Sequence, residues 1–434
     1  MANDNPTGRV GRAVQGAPRR SPTRKGTGSF RLRLACCLAA AVLGAPGAFA
    51  ATDEGALPGL SLRGFGTLGL ARTTTDQAEF VRDLSQPGGV QRDWSPKIDS
   101  ILGVQANYLV GDQLEAVVQA VSRYRSDGSF RPEVSWAFLK YDPNPQFSWR
   151  VGRLGTEFYM LADSRLVGYS YLPIRPPGDY FGTLPFTYID GADVAVTAPF
   201  AAGLVRGKLF AGVSRESAPV DNRQFDLNGS QMQGGHLDYQ QGSWLWRLGY
   251  AQLRFEHELP PVADLRSVLL GPGLPASARA VADALATAGT VSRFHSAGMS
   301  YDRGPLQLQL MASRTTHEAG IYQDTNAGYL IAAYRVNEFT PYVGRSWARS
   351  KARSLPSSGV GELDALVAAS QARTHTDQFT HFLGVRWDFR RDMALKAQVD
   401  FIRGAPSSVY PFQWVTPAYD GRMNVYSLSL DFVF

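Results

Sequence analysis

The chain has 434 residues, with 44 Lys and Arg against 38 Asp and Glu and a formal net charge of +6. The first 50 residues hold 8 of the basic residues and 1 of the acidic ones, so residues 51–434 carry 36 against 37, a net charge of −1. That near-neutral body excludes the basic footprint of a nucleic-acid binder. Both cysteines, Cys36 and Cys37, also lie in the first 50 residues, which excludes disulfides and thiolate chemistry beyond them.

The N-terminal stretch reads as a secretory signal peptide over residues 1–50. Arg19, Arg20, Arg24, Lys25, Arg31 and Arg33 form a long basic region, Leu34–Gly44 is apolar, and Ala48, Phe49 and Ala50 form a small-x-small cleavage site. An Arg-rich organellar presequence is the competing reading; the Ala-x-Ala site favours export. Residues 51–434 are then expected to form a single domain. No apolar run reaches the roughly 18–20 residues that a membrane helix needs. A membrane protein without such runs must be a closed β-barrel, because lipid offers the backbone no other partners. A secreted, soluble array of β-sandwiches is the alternative class.

Taken in order, the mature chain alternates apolar and polar residues in short segments. The first strand is predicted near Leu60–Ala71. Ile98–Val110 and Leu114–Arg125 form a hairpin in which Leu114, Ala116, Val118 and Ala120 alternate with Glu115, Val117, Gln119 and Val121. Val134–Tyr141 and Phe147–Leu154 follow, joined at Asp142–Pro145. Later segments repeat the form: Leu209 and Ala211 beside Lys208, Trp246 and Leu248 beside Arg247, Leu308 and Leu310 beside Gln309, Leu383 and Val385 beside Arg386, and Leu395 and Ala397 beside Lys396. Period-two alternation means one apolar and one wetter face. About sixteen segments of about 8–14 residues fit tilted membrane strands.

Loop lengths give an independent signal. Turns near 111–113, 142–145, 198–203, 240–242, 302–304, 337–338 and 390–392 are short. Most connections between them are long: 73–97, 155–188, 214–230, 257–290, 351–377 and 403–422. Short turns on one side and long loops on the other is the outer-membrane arrangement. Pro341 has no N–H for a ladder, so the strand near Tyr342 is expected to start after it. Ser277 is expected to cap a helix running to Ala288, and Ser358 a helix over Glu362–Gln371, both as lids on the outer mouth.

The final segment places Tyr426, Leu428, Leu430, Phe432 and Phe434 on one face and Val425, Ser427, Ser429, Asp431 and Val433 on the other. An alternating strand ending in Phe resembles the assembly signal of bacterial outer-membrane β-barrels. The resemblance implies recognition by the barrel-assembly machinery and a location in the outer membrane, among its lipids.

The wetter faces are rich in cations: Arg63, Arg123, Arg125, Arg150, Arg206, Lys208, Arg247, Arg345, Arg386 and Lys396. Arg123, Arg125, Arg150 and Arg153 stand ahead of the loop Gly155–Tyr188. Arg153 has the apolar parity of its strand and is expected beyond the lipid band. Trp149–Gly155 with its Val-Gly-Arg, the long loop after it, Asp190–Val196 re-entering the wall, and Leu395–Phe401 together resemble the general Gram-negative outer-membrane porins, the sixteen-stranded barrel porins. That resemblance implies an all-β transmembrane antiparallel barrel and a third loop that folds inward and narrows the pore. It also implies passive diffusion of small hydrophilic solutes and ions, and a homotrimer. This loop departs from the family's compact acidic segment, mixing Glu157, Asp163 and Asp179 with Arg165 and Arg175. The expected pore-lining or constricting residues are therefore Arg123, Arg125, Arg150, Arg153, Glu157, Asp163, Arg165, Arg175, Asp179, Arg206 and Arg386, with a weak anion preference. Tyr159, Tyr169, Tyr171 and Tyr180 would serve a substrate-selective channel as an aromatic track, or else pack the loop's own core. An external lid is the other reading of the loop. The six histidines show no metal-ligand spacing and no Gly-x-Ser-x-Gly elbow occurs, so no metal, cofactor or enzymatic activity is expected. A hydrolytic Ser/His/Asp site at the barrel rim remains the enzyme alternative.

Overall fold

The computed structural model describes residues 59–182, 186–220, 223–408 and 412–434; the signal-peptide reading of residues 1–50 lies outside the described residues. Sixteen antiparallel strands close into one barrel. In chain order they are β1 Leu60–Thr73, β2 Ile101–Leu109, β3 Leu114–Arg123, β4 Glu133–Asn144, β5 Phe147–Gly155, β6 Tyr188–Phe200, β7 Gly203–Val213 and β8 Gln231–Gln241. The second half comprises β9 Trp244–Arg254, β10 Val291–Arg303, β11 Leu306–His317, β12 Asp324–Tyr334, β13 Phe339–Lys351, β14 Asp377–Arg390, β15 Met393–Gly404 and β16 Arg422–Val433. Each strand pairs with its neighbours in sequence, and β1 pairs with β16 to close the ring. Two-stranded pairings in the first, fourth and eighth long loops lie outside the wall: Ser217–Val220 with Arg223–Asp226, and Ala78–Phe80 with Phe412–Val415. No helix among the described residues is long and apolar enough to cross a membrane.

The alternation becomes a wall with its apolar side outward. Leu62, Leu209, Leu248 and Val343 are about 60% exposed or more, while Thr67, Ser346, Ser427 and Asp431 are almost fully buried on the inner face. An exposed apolar face over a buried polar one suits lipid outside and water or protein inside. Aromatic rings gather at the short-turn end of the outer face. Trp244 and Trp246 stack at 5.7 Å and Phe339 and Trp387 at 5.6 Å, as an interfacial girdle requires.

The closing seam has its own device. The Gly64 N–H donates to the Phe434 carbonyl at 2.8 Å and the Phe434 N–H returns to Gly64 at 3.0 Å. The Phe434 ring lies where a Cβ on Gly64 would be, and the Phe432 ring does the same over Gly66. Phe65 over Gly103, Trp347 over Gly328 and Phe382 over Gly344 repeat the arrangement around the wall. Each missing side chain lets a ring lie flat across the neighbouring strand.

Four expectations are corrected. The strand containing Pro341 begins at Phe339, not after the proline. Pro341 is tolerated because it pairs with Val385 on one side while the ladder to β12 starts only at Tyr342. Neither serine caps its helix. Ala276–Leu285 starts after Pro275, and the Ser277 hydroxyl donates to the Ser358 carbonyl at 2.7 Å, tying two loops together. Gly361–Ala372 starts after Val360, and the Asp364 carboxylate reaches back to the Ser358 N–H at 2.7 Å. A further helix, Pro260–Leu269, opens on prolines at its first turn, where no N–H is needed. It buries Val262, Leu265 and Leu269 in the same apolar cluster as Val281 and Leu285. Finally, Arg345 shares parity with exposed Val343, opposite to buried Tyr342 and Ser346, so it stands on the outer face rather than the inner one.

Two outcomes test this wall. Leu310→Arg, opposite Met299 and Leu330 and one row deeper than the Trp244–Tyr301 girdle, puts a charge on the lipid face and is expected to cost about 2–4 kcal/mol, whereas Gln309→Arg, facing inward, costs little. Equal loss of denaturant resistance for both would mean a slipped register. Gly64→Val, which displaces the Phe434 ring, and Phe434→Ala should each lower the yield of heat-modifiable folded barrel; normal yields for both would show that the seam does not depend on this contact.

Candidate pore constriction

The loop after β5 does not leave the barrel. Leu154 is fully buried at the strand's end, and residues 156–182 run across the lumen. Wall donors hold the loop's carbonyl oxygens all round. His236 lies 2.6 Å from the Glu157 oxygen, Ser296 donates to Phe158 at 3.2 Å, and Arg247 to Tyr159 at 2.9 Å. On the far side Lys396 donates to Gly168 at 2.7 Å, and Arg386 donates to Tyr169 at 2.6 Å and Tyr171 at 3.0 Å. An irregular backbone at membrane depth is tolerable only with such partners.

Side chains complete the attachment. Phe158, Tyr159 and Tyr180 meet Phe294 or Tyr329 edge-on at about 5–6 Å, and Phe181 packs edge-on against Tyr159 and at a tilt against Tyr329. Tyr159, Tyr171 and Tyr180 are buried, so of the four tyrosines only Tyr169 presents a partly open ring, and that ring lies 4.5 Å beneath the Arg386 guanidinium. The tyrosines therefore pack the loop and do not form a track.

The expected pore residues fall into separate places. Arg150 pairs with Asp193 through both carboxylate oxygens, at 3.1 and 3.0 Å, and with Glu157 at 2.6 Å; Lys208 meets the other Glu157 oxygen at 2.6 Å. Arg175 grips Asp99 with two bonds of 2.9 and 2.6 Å and reaches Asp400 at 2.9 Å and Ser427 at 2.6 Å. Arg123 donates to Ser85 at 2.8 Å and pairs with Asp83 at 3.8 Å in the first loop. Arg165 donates to the Tyr159 hydroxyl at 2.9 Å, and its carbonyl accepts from Arg82 at 2.9 Å. Asp179 accepts from Ser346 and Gln378, each at 2.6 Å. Arg386 pairs with Asp388 at 2.7 Å. Arg125 pairs with Glu133, and Asp163 is exposed on the loop. Arg153 faces outward, pairs with Asp190 at 2.8 Å and covers the Tyr188 ring at 4.1 Å. The four arginines ahead of the loop thus do not form one cluster. Arg206 faces the lumen, exposed, with no ion pair among the described residues.

Several contributors were not foreseen. Arg82, Asp83 and Asp99 of the first loop complete the networks, as do Asp193, Asp238 and Asp431 on the wall. Only their inward parity signals the wall carboxylates; nothing in the linear pattern joins residue 99 to 175. Below the loop a cavity of about 160 Å³ remains, lined by Gln105, Asn107, Glu115, Lys140, Arg150, Arg206 and Lys208. Arg63, opposite Gln105 in the ladder, faces the same side and has no ion pair among the described residues. Every basic side chain that grips the inward-folded loop is matched by acid or carbonyl, whereas Arg63 and Arg206 are in no ion pair among the described residues.

The described residues thus form a closed sixteen-stranded barrel with its third loop folded inward. The fold of this chain is that of the outer-membrane porins. It is similar to an anion-selective porin from Comamonas acidovorans, with a TM-score of 0.51 and 14% identity over 86% of this chain and 99% of that one. It is likewise similar to Salmonella typhi OmpF solved with daunomycin, with a TM-score of 0.52 and 11% identity over 86% and 97%. OmpT of Vibrio cholerae, an outer membrane protein solved in trimer form, matches with a TM-score of 0.50 and 14% identity over 86% and 99%. No family model matches the sequence, and a search of curated proteins returns no match.

Burial would raise the Glu157 carboxyl, but Arg150 and Lys208 hold it down to about 2, below its ordinary 4.5. A depressed folded-state value means that the stabilisation is complete above about 4.5 and fades as the pH falls towards about 2. The barrel's resistance to thermal unfolding should therefore fall as the pH is lowered through that window. Glu157→Gln should be less stable at neutral pH and show a shallower fall below pH 4.5. Parallel curves for the two proteins would remove Glu157 from the loop's attachment.

Proposed function

We propose that the protein is an outer-membrane diffusion channel for small hydrophilic solutes and ions, narrowed by loop 155–188 and weakly anion-preferring. The observation that carries this reading is the placement of cations: Glu157 and Arg175 of the loop are ion-paired and Asp179 is held by Ser346 and Gln378, while Arg206 lines the cavity beneath the loop and Arg63 faces the same side, neither with an ion pair among the described residues. Cations in a confined, partly desolvated lumen act through a lowered dielectric and are only partly screened by salt. Arg123, Arg125 and Arg150 then shape the passage by holding loops, and Arg206 with Arg63 biases its ions. The Comamonas porin's anion selectivity agrees in sign with this reading.

The chain is read as exported through residues 1–50, cleaved near Ala50, with residues 51–434 folding as the barrel through the assembly machinery. A homotrimer is the proposed assembly, in line with the trimer form of the Vibrio protein. The proposed activity is transport without catalysis. The Ser292 hydroxyl lies 2.7 Å from His317 Nδ1, but the nearby Asp324 carboxylate accepts the His317 backbone N–H at 3.0 Å rather than orienting the ring. A pair without an orienting acid favours a structural role at the strand ends.

Planar-bilayer recording in a salt gradient tests the proposal. Arg63→Gln with Arg206→Gln should shift the reversal potential towards cation preference, by more than Arg125→Gln does. Deleting Tyr169–Gly178 should raise single-channel conductance. An unchanged reversal potential in the double variant would reject the charge assignment. An unchanged conductance in the deletion would reject the constriction, and lipid or peptide hydrolysis by the purified barrel would reject the reading as a channel alone.

A further inference from the structure

Arg345 stands on the outer wall with nothing on that wall to neutralise it. In the ladders it lies opposite Leu330 on one side and His381 on the other, both on the same outward face. One step nearer the short turns the outward row is Val343, Leu383 and Val399; one step nearer the long loops it is Trp347 and Phe379. The arginine and histidine therefore interrupt an apolar face that continues above and below them. The nearest carboxylate of the adjoining strand, Asp377, lies beyond the aromatic row and pairs with Arg349 at 3.3 Å. Among the described residues Arg345 forms no ion pair.

The side chains point in a definite direction. The Arg345 guanidinium lies 5.1 Å over the Phe379 ring, and the His381 ring meets the same ring edge-on at 5.3 Å. Phe379 is on the long-loop side of both, so the arginine lifts its charge away from the bilayer centre, as long cationic side chains do. Its fork of N–H donors remains free of carboxylate. A planar guanidinium beside a second N–H donor matches the oxygens of a phosphate monoester. The apolar frame argues against a freely dissolved anion, because one placed there would have to shed its water beside Val343 and Leu383. A headgroup whose own acyl chains cover that frame meets both demands.

We propose that Arg345 and His381 form a docking site for a lipid bearing a phosphate monoester, in the leaflet nearest the long loops, with its chains lying along Val343, Leu383 and Leu330. The site is on the outside of the wall and is independent of what crosses the lumen.

Native mass spectrometry of the purified full-length barrel, titrated with phosphatidic acid or with diacylglycerol, tests this. Phosphatidic acid should bind about tenfold more tightly than diacylglycerol, a difference expected to vanish in Arg345→Gln with His381→Gln and to persist in part in Arg345→Lys. Excess inorganic phosphate should not displace the lipid. Heat-modifiable migration verifies folding, and the two single Gln variants give the same reading if the double variant does not fold. Equal retention of phosphatidic acid by the variants, equal binding of diacylglycerol, or displacement by inorganic phosphate would each overturn the proposal.

Discussion

The whole molecule answers to one constraint: in lipid, each strand must find hydrogen-bond partners on both edges. An open sheet would leave two unpaired edges in hydrocarbon, so the first and last strands have to meet. Here they meet over nine paired positions, from Phe65 opposite Val433 to Thr73 opposite Val425. The terminal rings lie over Gly64 and Gly66, and that fit explains why those two positions lack side chains. Closure fixes the parity of all sixteen strands. Parity in turn decides that Lys208, Asp193, Lys396 and Asp431 face the lumen, where loop 155–188 can use them.

Those inward ions do more for position than for net stability. Desolvating a charge pair offsets much of its attraction, so the networks around Arg150 and Arg175 add little that an apolar packing would not. Their geometry is demanding, however. Arg175 needs Asp99, Asp400 and Ser427 in one place, drawn from the first loop and two strands. An apolar substitute would tolerate many placements of the loop. The ionic one is satisfied by a single placement, so it holds the loop in one place across the lumen.

Much of this was legible in the linear pattern. Alternation marked the strands, loop lengths marked the two ends of the barrel, and the length and position of the third loop marked the segment that folds inward. What escaped notice has physical causes. Arg345 looked like a lumen residue because a polar residue in an alternating strand is assigned to water, yet its strand starts two residues before Pro341 and its parity is outward. The helix Pro260–Leu269 was hidden by its two prolines, which break helices everywhere except at the first turn. The charge clusters could not be read because their members are distant in sequence: Arg175 and Asp99 are 76 residues apart, and Arg175 and Asp400 are 225 apart. Spacing carries the signal of local structure and loses it across such distances.

The attachments of the third loop also impose an order in time. The loop is made early in the chain, yet Gly168 is held by Lys396, Ile174 by Gln398, and Arg175 by Asp400 and Ser427. All four partners belong to the last two strands. Contacts of such long sequence separation form late, because the loop-closure entropy must be met first. A barrel that has not yet joined its first strand to its last therefore has no finished interior, and the third loop takes its final place only when the ring is complete.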